Sequence, residues 1–323
     1  MGNRANSTNV TETDSVWEPY YDAYQKAVVQ DMWVISCITL LHLLVFAILV
    51  RMEISAPILK KKKKIFSSIN SLLLSIILLH FLANMLNYAY SSSLSSDPIY
   101  IVTYIIVAWF FTCFQECAMT FYAYRRGIAV IEAIFPSSRI FMIGCLLFIA
   151  FGTVCQFVWV SLANISFYLP YLTDYNAFFN KAFNAHSVAL SIAIFCFDTG
   201  ICGVYLYYLR VAEEQEIGEI EKLKVLSKYG LLSCCCLWLW HGSLTLFLYS
   251  SYAETPPFPL WIYILSQNMA ELIPLLYVTV QLVMKWNLLV EERTRIQLMQ
   301  KRMDRAKTTS FSTCKTIVKS KSF

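Results

Sequence analysis

The stretch that decides the fold is Pro259 to Trp286, PLWIYILSQNMAELIPLLYVTVQLVMKW. It is apolar for long enough to cross a bilayer, yet it carries Gln267, Asn268, Glu271 and Gln281. An ionisable side chain at membrane depth is costly, so Glu271 must face a bundle interior or a hydrated cavity. At helical spacing Gln267, Asn268, Glu271, Pro274, Val278 and Gln281 fall on one face. Pro274 removes a hydrogen bond from the carbonyl one turn earlier, which only neighbouring protein or water can replace inside a membrane. The segment therefore reads as a buried partner in a bundle.

Working outward, the rest of the 323-residue chain has the same character: 58% hydrophobic, 15% charged, with mean hydropathy +0.54. That balance excludes an ordinary soluble domain. Seven windows reach the length of about twenty residues that a helix needs to span a bilayer. They are 32–52, 66–90, 99–124, 140–163, 186–210, 229–252 and 259–285. The expected fold is an all-α integral membrane protein, a bundle of seven transmembrane helices.

Of the 26 Lys and Arg residues, only Arg4, Lys26 and Lys181 lie on the side shared by the N-terminus and the even-numbered turns. The others, from Lys60–Lys64 through Arg125, Arg126, Arg139 and Arg210 to the tail, flank the opposite side. The charge rule puts the N-terminus outside and the C-terminus in the cytoplasm. The net charge of +5 is accounted for by topology and gives no sign of nucleic-acid binding. The Lys60–Lys64 cluster is also suited to anionic lipids of the inner leaflet.

The chain divides into an extracellular segment 1–31, the bundle 32–285, an amphipathic cytoplasmic helix 286–303 and a disordered, basic, Ser/Thr-rich tail 304–323. Segment 1–31 holds two glycosylation sequons, at Asn6 and Asn9. The 164–185 stretch reads as the longest outer loop. None of the 11 cysteines falls in an expected outer loop, so no disulfide framework is implied. Cys234-Cys235-Cys236 makes a poor zinc site, because adjacent helical residues diverge. The sequence calls for no metal and no cofactor.

Six ionisable residues sit near mid-span: His42, His80, Glu116, Asp198, His241 and Glu271. Their stripes can share one interior as a polar layer. That layer would either hold the helices in register or form a ligand cavity or an ion path. There is no His-x-x-x-His pair for metal-dependent hydrolysis, and no lysine deep in the last span for a retinal Schiff base. Nothing else points to an enzyme.

The whole architecture resembles the G-protein-coupled receptor class. Pro274-Leu275-Leu276-Tyr277 is similar to the Pro-x-x-Tyr part of its last-helix motif, and Arg125 sits where the arginine ending helix three would be. Ile273 stands in place of the motif's Asn, Tyr124 in place of the acid before the arginine, and helix six lacks a proline. The resemblance implies an unknown small-molecule or peptide ligand entering between the outer halves of helices three, five, six and seven. Its contacts would be Glu116, Asp198, Trp238, His241, Asn268 and Glu271. It further implies a cytoplasmic G protein or similar partner meeting Arg125, Arg126 and the 211–228 loop, Pro274 and Tyr277 as switch residues, and residence in the plasma membrane. Glu271-Leu272-Ile273-Pro274 also resembles the last helix of the seven-pass tobamovirus multiplication protein family, which would imply a membrane adaptor. A proton- or ion-coupled transporter is a further alternative.

Overall fold

In the computed structural model the described residues are 9–55, 67–92, 98–135, 137–169, 171–214, 220–251 and 257–320. They form seven α-helices: α1 (Asn9–Ile54), α2 (Ser68–Ser92), α3 (Pro98–Ile134), α4 (Ser138–Tyr168), α5 (Asn176–Glu214), α6 (Ile220–Ser251) and α7 (Leu260–Ser320). No strand occurs among the described residues. Each helix is long and apolar enough to cross a membrane, which marks a multi-pass membrane protein.

Each helix packs on its sequence neighbour and α7 packs on α1, so the bundle closes as a ring; α3 also crosses to α5, and α2 to α7. Gly127 and Gly152 set two close approaches. A Cβ at Gly127 would lie 2.8 Å from Ile201, and one at Gly152 would lie 2.9 Å from Leu190. Small residues at such crossings let backbones approach where no hydrophobic effect drives helices together. One apolar core joins α1, α2, α3, α6 and α7 around Leu49, Leu73, Met119, Trp240 and Tyr277. A second joins α3, α4, α5 and a flank of α6 around Ile131, Ile149, Ile194 and Tyr205. Below, the end of the bundle where α1 begins is termed the N-face, and the opposite end the C-face.

Three boundaries differ from the sequence reading. α1 begins well before 32, and Asp31 is buried inside the bundle at 8% exposure. A hydropathy window stops at a charge, whereas the helix carries on because the charge has partners. The 164–185 stretch is mostly helical: α4 reaches Tyr168, a short 3-10 turn covers Thr173–Tyr175, and α5 starts at Asn176. α7 runs unbroken to Ser320, so 286–303 continues the seventh helix, and 304–320 is helical too. No Gly or Pro occurs after Pro274, and Glu, Arg, Gln, Lys, Leu and Met favour helix. Asn6 and Lys60–Lys64 lie outside the described residues; Asn9 is the first residue of α1.

Candidate functional site

Polar side chains collect in two places along the bundle axis. The first is a cavity of about 150 Å3 in the N-face half, walled by α1, α2, α3, α6 and α7. Tyr24, His80, Asn84, Asn87, Thr112, Gln115, Trp240, Gln267 and Glu271 line it, and no Lys or Arg does. The arrangement follows from helical phase. His80, Asn84 and Asn87 are one stripe of α2, Thr112 and Gln115 one of α3, Gln267 and Glu271 one of α7.

The walls are cross-braced. Gln115 Oε1 lies 3.3 Å from His80 Nδ1, and Asn84 Nδ2 donates to the His80 carbonyl at 2.9 Å. The carboxyls of Asp31 and Glu271 meet across the α1–α7 contact. With its amide nitrogen turned to face acceptors, Asn268 donates to Asp31 Oδ2 at 3.1 Å and to the Ile264 carbonyl at 3.2 Å. Ala270 and Pro274 both border the cavity, so the carbonyl stripped of its donor by the proline ring belongs to a residue of the cavity wall. Beneath this level the bundle is closely packed. Ile273, Tyr277 and Val278 of α7 are buried, as are Met119 and Tyr122 of α3.

The second region lies about 15 Å further along α7, at a rise of about 1.5 Å per residue. It centres on Arg126, 8% exposed. Its Nη1 donates to Gln281 Oε1 at 3.1 Å and to Ser233 Oγ at 3.5 Å, and Gln281 donates to Ser233. The guanidinium lies 5.9 Å from the centre of the Tyr205 ring, within cation–π range. The Tyr205 hydroxyl faces the guanidinium, and the Tyr277 hydroxyl has no hydrogen-bond partner among the described residues. At the C-face, Lys285 pairs with Glu53 at 3.0 Å and reaches Asn70, tying α1, α2 and α7.

The structure brings some of the expected contact residues together and separates others. Glu271 and Asn268 meet at the α1–α7 contact, and Glu271 lines the cavity. Glu116 is buried but is not part of the cavity wall; its neighbour Gln115 is. Trp238 is 60% exposed on the bundle exterior, its ring tilted against that of Phe195 with centres 5.2 Å apart, whereas Trp240 is 3% exposed and lines the cavity. His241 turns to α5, its Nδ1 lying 3.1 Å from Ser191 Oγ, so Asp31 rather than His241 is the titratable neighbour of Glu271. Asp198 is buried in the C-face half, near Arg126. Of the two arginines, Arg125 is the outward one, donating to Ser68 Oγ at 2.9 Å, and Arg126 the interior one. His42 bonds Thr279 at 2.8 Å, outside both regions.

Asp31, Tyr24 and Trp240 escaped the sequence reading, in which Gln115 is only a member of the interior stripe of helix three with Thr112, Glu116 and Thr120. The signal for Asp31 was present: a lone acid at the edge of an apolar run, with a matching acid in the last helix. Protein-family models, curated proteins and solved structures yield no match to this chain.

Proposed function

We propose that this protein is a seven-helix membrane receptor whose N-face cavity takes a small, cationic ligand from outside the cell. The observation that carries the reading is Glu271 in the wall of a cavity with no Lys or Arg among its described lining residues, the Asp31 carboxyl set against it from α1. A buried carboxylate is stabilised by an opposite charge within a few ångströms, and a guest ammonium would supply one. His80, Asn84, Gln115 and Tyr24 would orient it, and Trp240 would offer a ring face. A cavity of about 150 Å3 holds a guest about the size of benzene, which excludes a buried peptide. Only a side chain or an amine of that size would enter.

Binding that draws α1 and α7 together would act on α7 at Pro274, whose ring breaks the helical hydrogen-bond ladder. Below that point Tyr277 and Gln281 reach the Arg126 network, and the C-face would report the change to a G protein or similar partner. In this reading the N-face is external, Asn6 and Asn9 are glycosylated, and the chain resides in the plasma membrane.

The same carboxyl contact would also suit a proton-coupled transporter. The packed floor of Ile273, Tyr277, Val278, Met119 and Tyr122 beneath the cavity favours the receptor, since a transporter must also open a path to the C-face. Second-messenger output in cells exposed to a panel of small amines separates the two. Coupling lost in Glu271→Gln supports the receptor; substrate flux driven by a proton gradient, without coupling, overturns it. Glycosylation mapping checks the orientation: modification of Asn6 or Asn9 is expected, and modification of a sequon placed after residue 304 would reverse it.

A further inference from the structure

We propose that Asp198, Cys202 and Cys234 form a binding site for one divalent, thiolate-preferring metal ion, zinc by preference, between α5 and α6. Asp198 and Cys202 are one turn apart on α5 and so share a face, and Cys234 approaches from α6. Their potential ligand atoms all lie within 4.8 Å of one another. Three atoms at that spacing ring a point no more than about 2.8 Å from each, and zinc–sulfur bonds of about 2.3 Å need only a shift of roughly half an ångström.

The independent observation is Asp198 itself. It is 2% exposed, and among the described residues its carboxylate oxygens meet no hydrogen-bond donor outside the cluster itself, the Cys234 thiol being the one that faces them. A buried acceptor left unmade costs free energy that a ligand would recover. Cys202 and Cys234 are likewise buried, at 4% and 7% exposure.

Charge balance selects the ion's valence. On binding, both thiols release their protons to solvent and become thiolates. Two thiolates and one carboxylate then carry three negative charges, cancelled by a divalent ion together with nearby Arg126. A monovalent ion would leave a net charge buried in the bundle, which is costly. Sulfur ligands select zinc over magnesium or calcium, which take oxygen. Three protein ligands leave a fourth position for water or for the Thr199 hydroxyl, which lies 3.4 Å from Cys234 Sγ. An ion here would clamp α5 to α6 in the C-face half, independently of what occupies the cavity.

The test uses the full-length protein in detergent micelles, stripped with chelator and titrated with Co2+. One ion per chain is expected, with thiolate-to-cobalt charge-transfer absorption that Zn2+ abolishes. Cys202→Ser and Cys234→Ser should each remove the band and weaken binding at least 100-fold, while Cys235→Ser, at an exposed neighbour, and Glu271→Gln leave it intact. No band in folded wild type, or a band surviving in the Cys202→Ser/Cys234→Ser double variant, overturns the site. Should the serine variants not fold, wild type decides the matter. Zinc should slow N-ethylmaleimide labelling of Cys202 and Cys234 during thermal opening, and equal labelling with and without zinc contradicts the proposal.

Discussion

The cavity and the Arg126 layer are opposite in what they lack. The cavity has Glu271 in its wall, backed by Asp31 of α1, has room for a guest, and has no Lys or Arg among its described lining residues. The Arg126 layer contains a cation and is surrounded by the buried Tyr122, Tyr205 and Tyr277. A cavity with a carboxyl in its wall and no cation beside it invites a mobile cation, whereas a fixed cation in a packed layer holds helices together. Under the proposed function, position along one bundle assigns polar chemistry to different work: recognition near the N-face, cohesion and switching towards the C-face.

The largest effect should come from the cohesive half. Arg126→Ala leaves Gln281, Ser233 and the nearby Asp198 without their cation. A loss of about 3–5 kcal/mol in unfolding free energy is expected, the range for breaking a buried ionic arrangement. Arg125→Ala, at an exposed side chain, should stay within about 0.5 kcal/mol. Reversible unfolding in mixed micelles measures both. Equal effects at the two positions would erase the distinction between inward and outward arginine.

The recognition half should respond in binding more than in folding. Glu271→Gln and Asp31→Asn are each expected to weaken amine binding about tenfold, equivalent to roughly 1.4 kcal/mol. Folded yield should hardly change, because interhelical hydrogen bonds in membranes average about 0.6 kcal/mol. Glu271→Leu should add a small folding cost. A collapse in yield for Glu271→Gln, with unchanged affinity in whatever folds, would make the carboxyl a helix clamp instead.

Smaller effects sharpen the boundary between the halves. Gln281→Leu removes the 3.1 Å acceptor of Arg126 and should cost about 1 kcal/mol of stability without altering amine affinity. Trp238→Leu, on the exterior, should change neither by more than about 0.5 kcal/mol. An affinity loss in Trp238→Leu equal to that in Trp240→Leu would move the cavity wall.

The bundle itself was legible because its signal is cumulative: seven long apolar windows survive errors of several residues at each end. The polar interior was legible only as stripes. One residue turns a side chain by about 100°, so a stripe read without a neighbouring helix is uncertain by one or two positions. Gln115 in place of Glu116 as a wall residue, and Trp240 in place of Trp238, follow from that ambiguity, and so does the inability to say which of Arg125 and Arg126 points inward. Depth along the axis was a separate loss. Asp198 and Glu271 were placed in one layer, although α5 carries Asp198 to the C-face half. Asp31 was lost for yet another reason, since a hydropathy threshold treats any charge as a boundary, and only the α7 partners make it an interior residue.

The most direct measurement is thermal stability of the purified full-length protein against a panel of primary and quaternary amines of about six heavy atoms, in wild type, Glu271→Gln and Gln281→Leu. A ligand that binds only the folded state raises the melting temperature in proportion to its occupancy. The predicted result is at least one amine that stabilises wild type and Gln281→Leu alike and loses its effect in Glu271→Gln. Stabilisation that persists undiminished in Glu271→Gln, or that no amine produces in wild type, would contradict the assignment of the cavity to cation recognition.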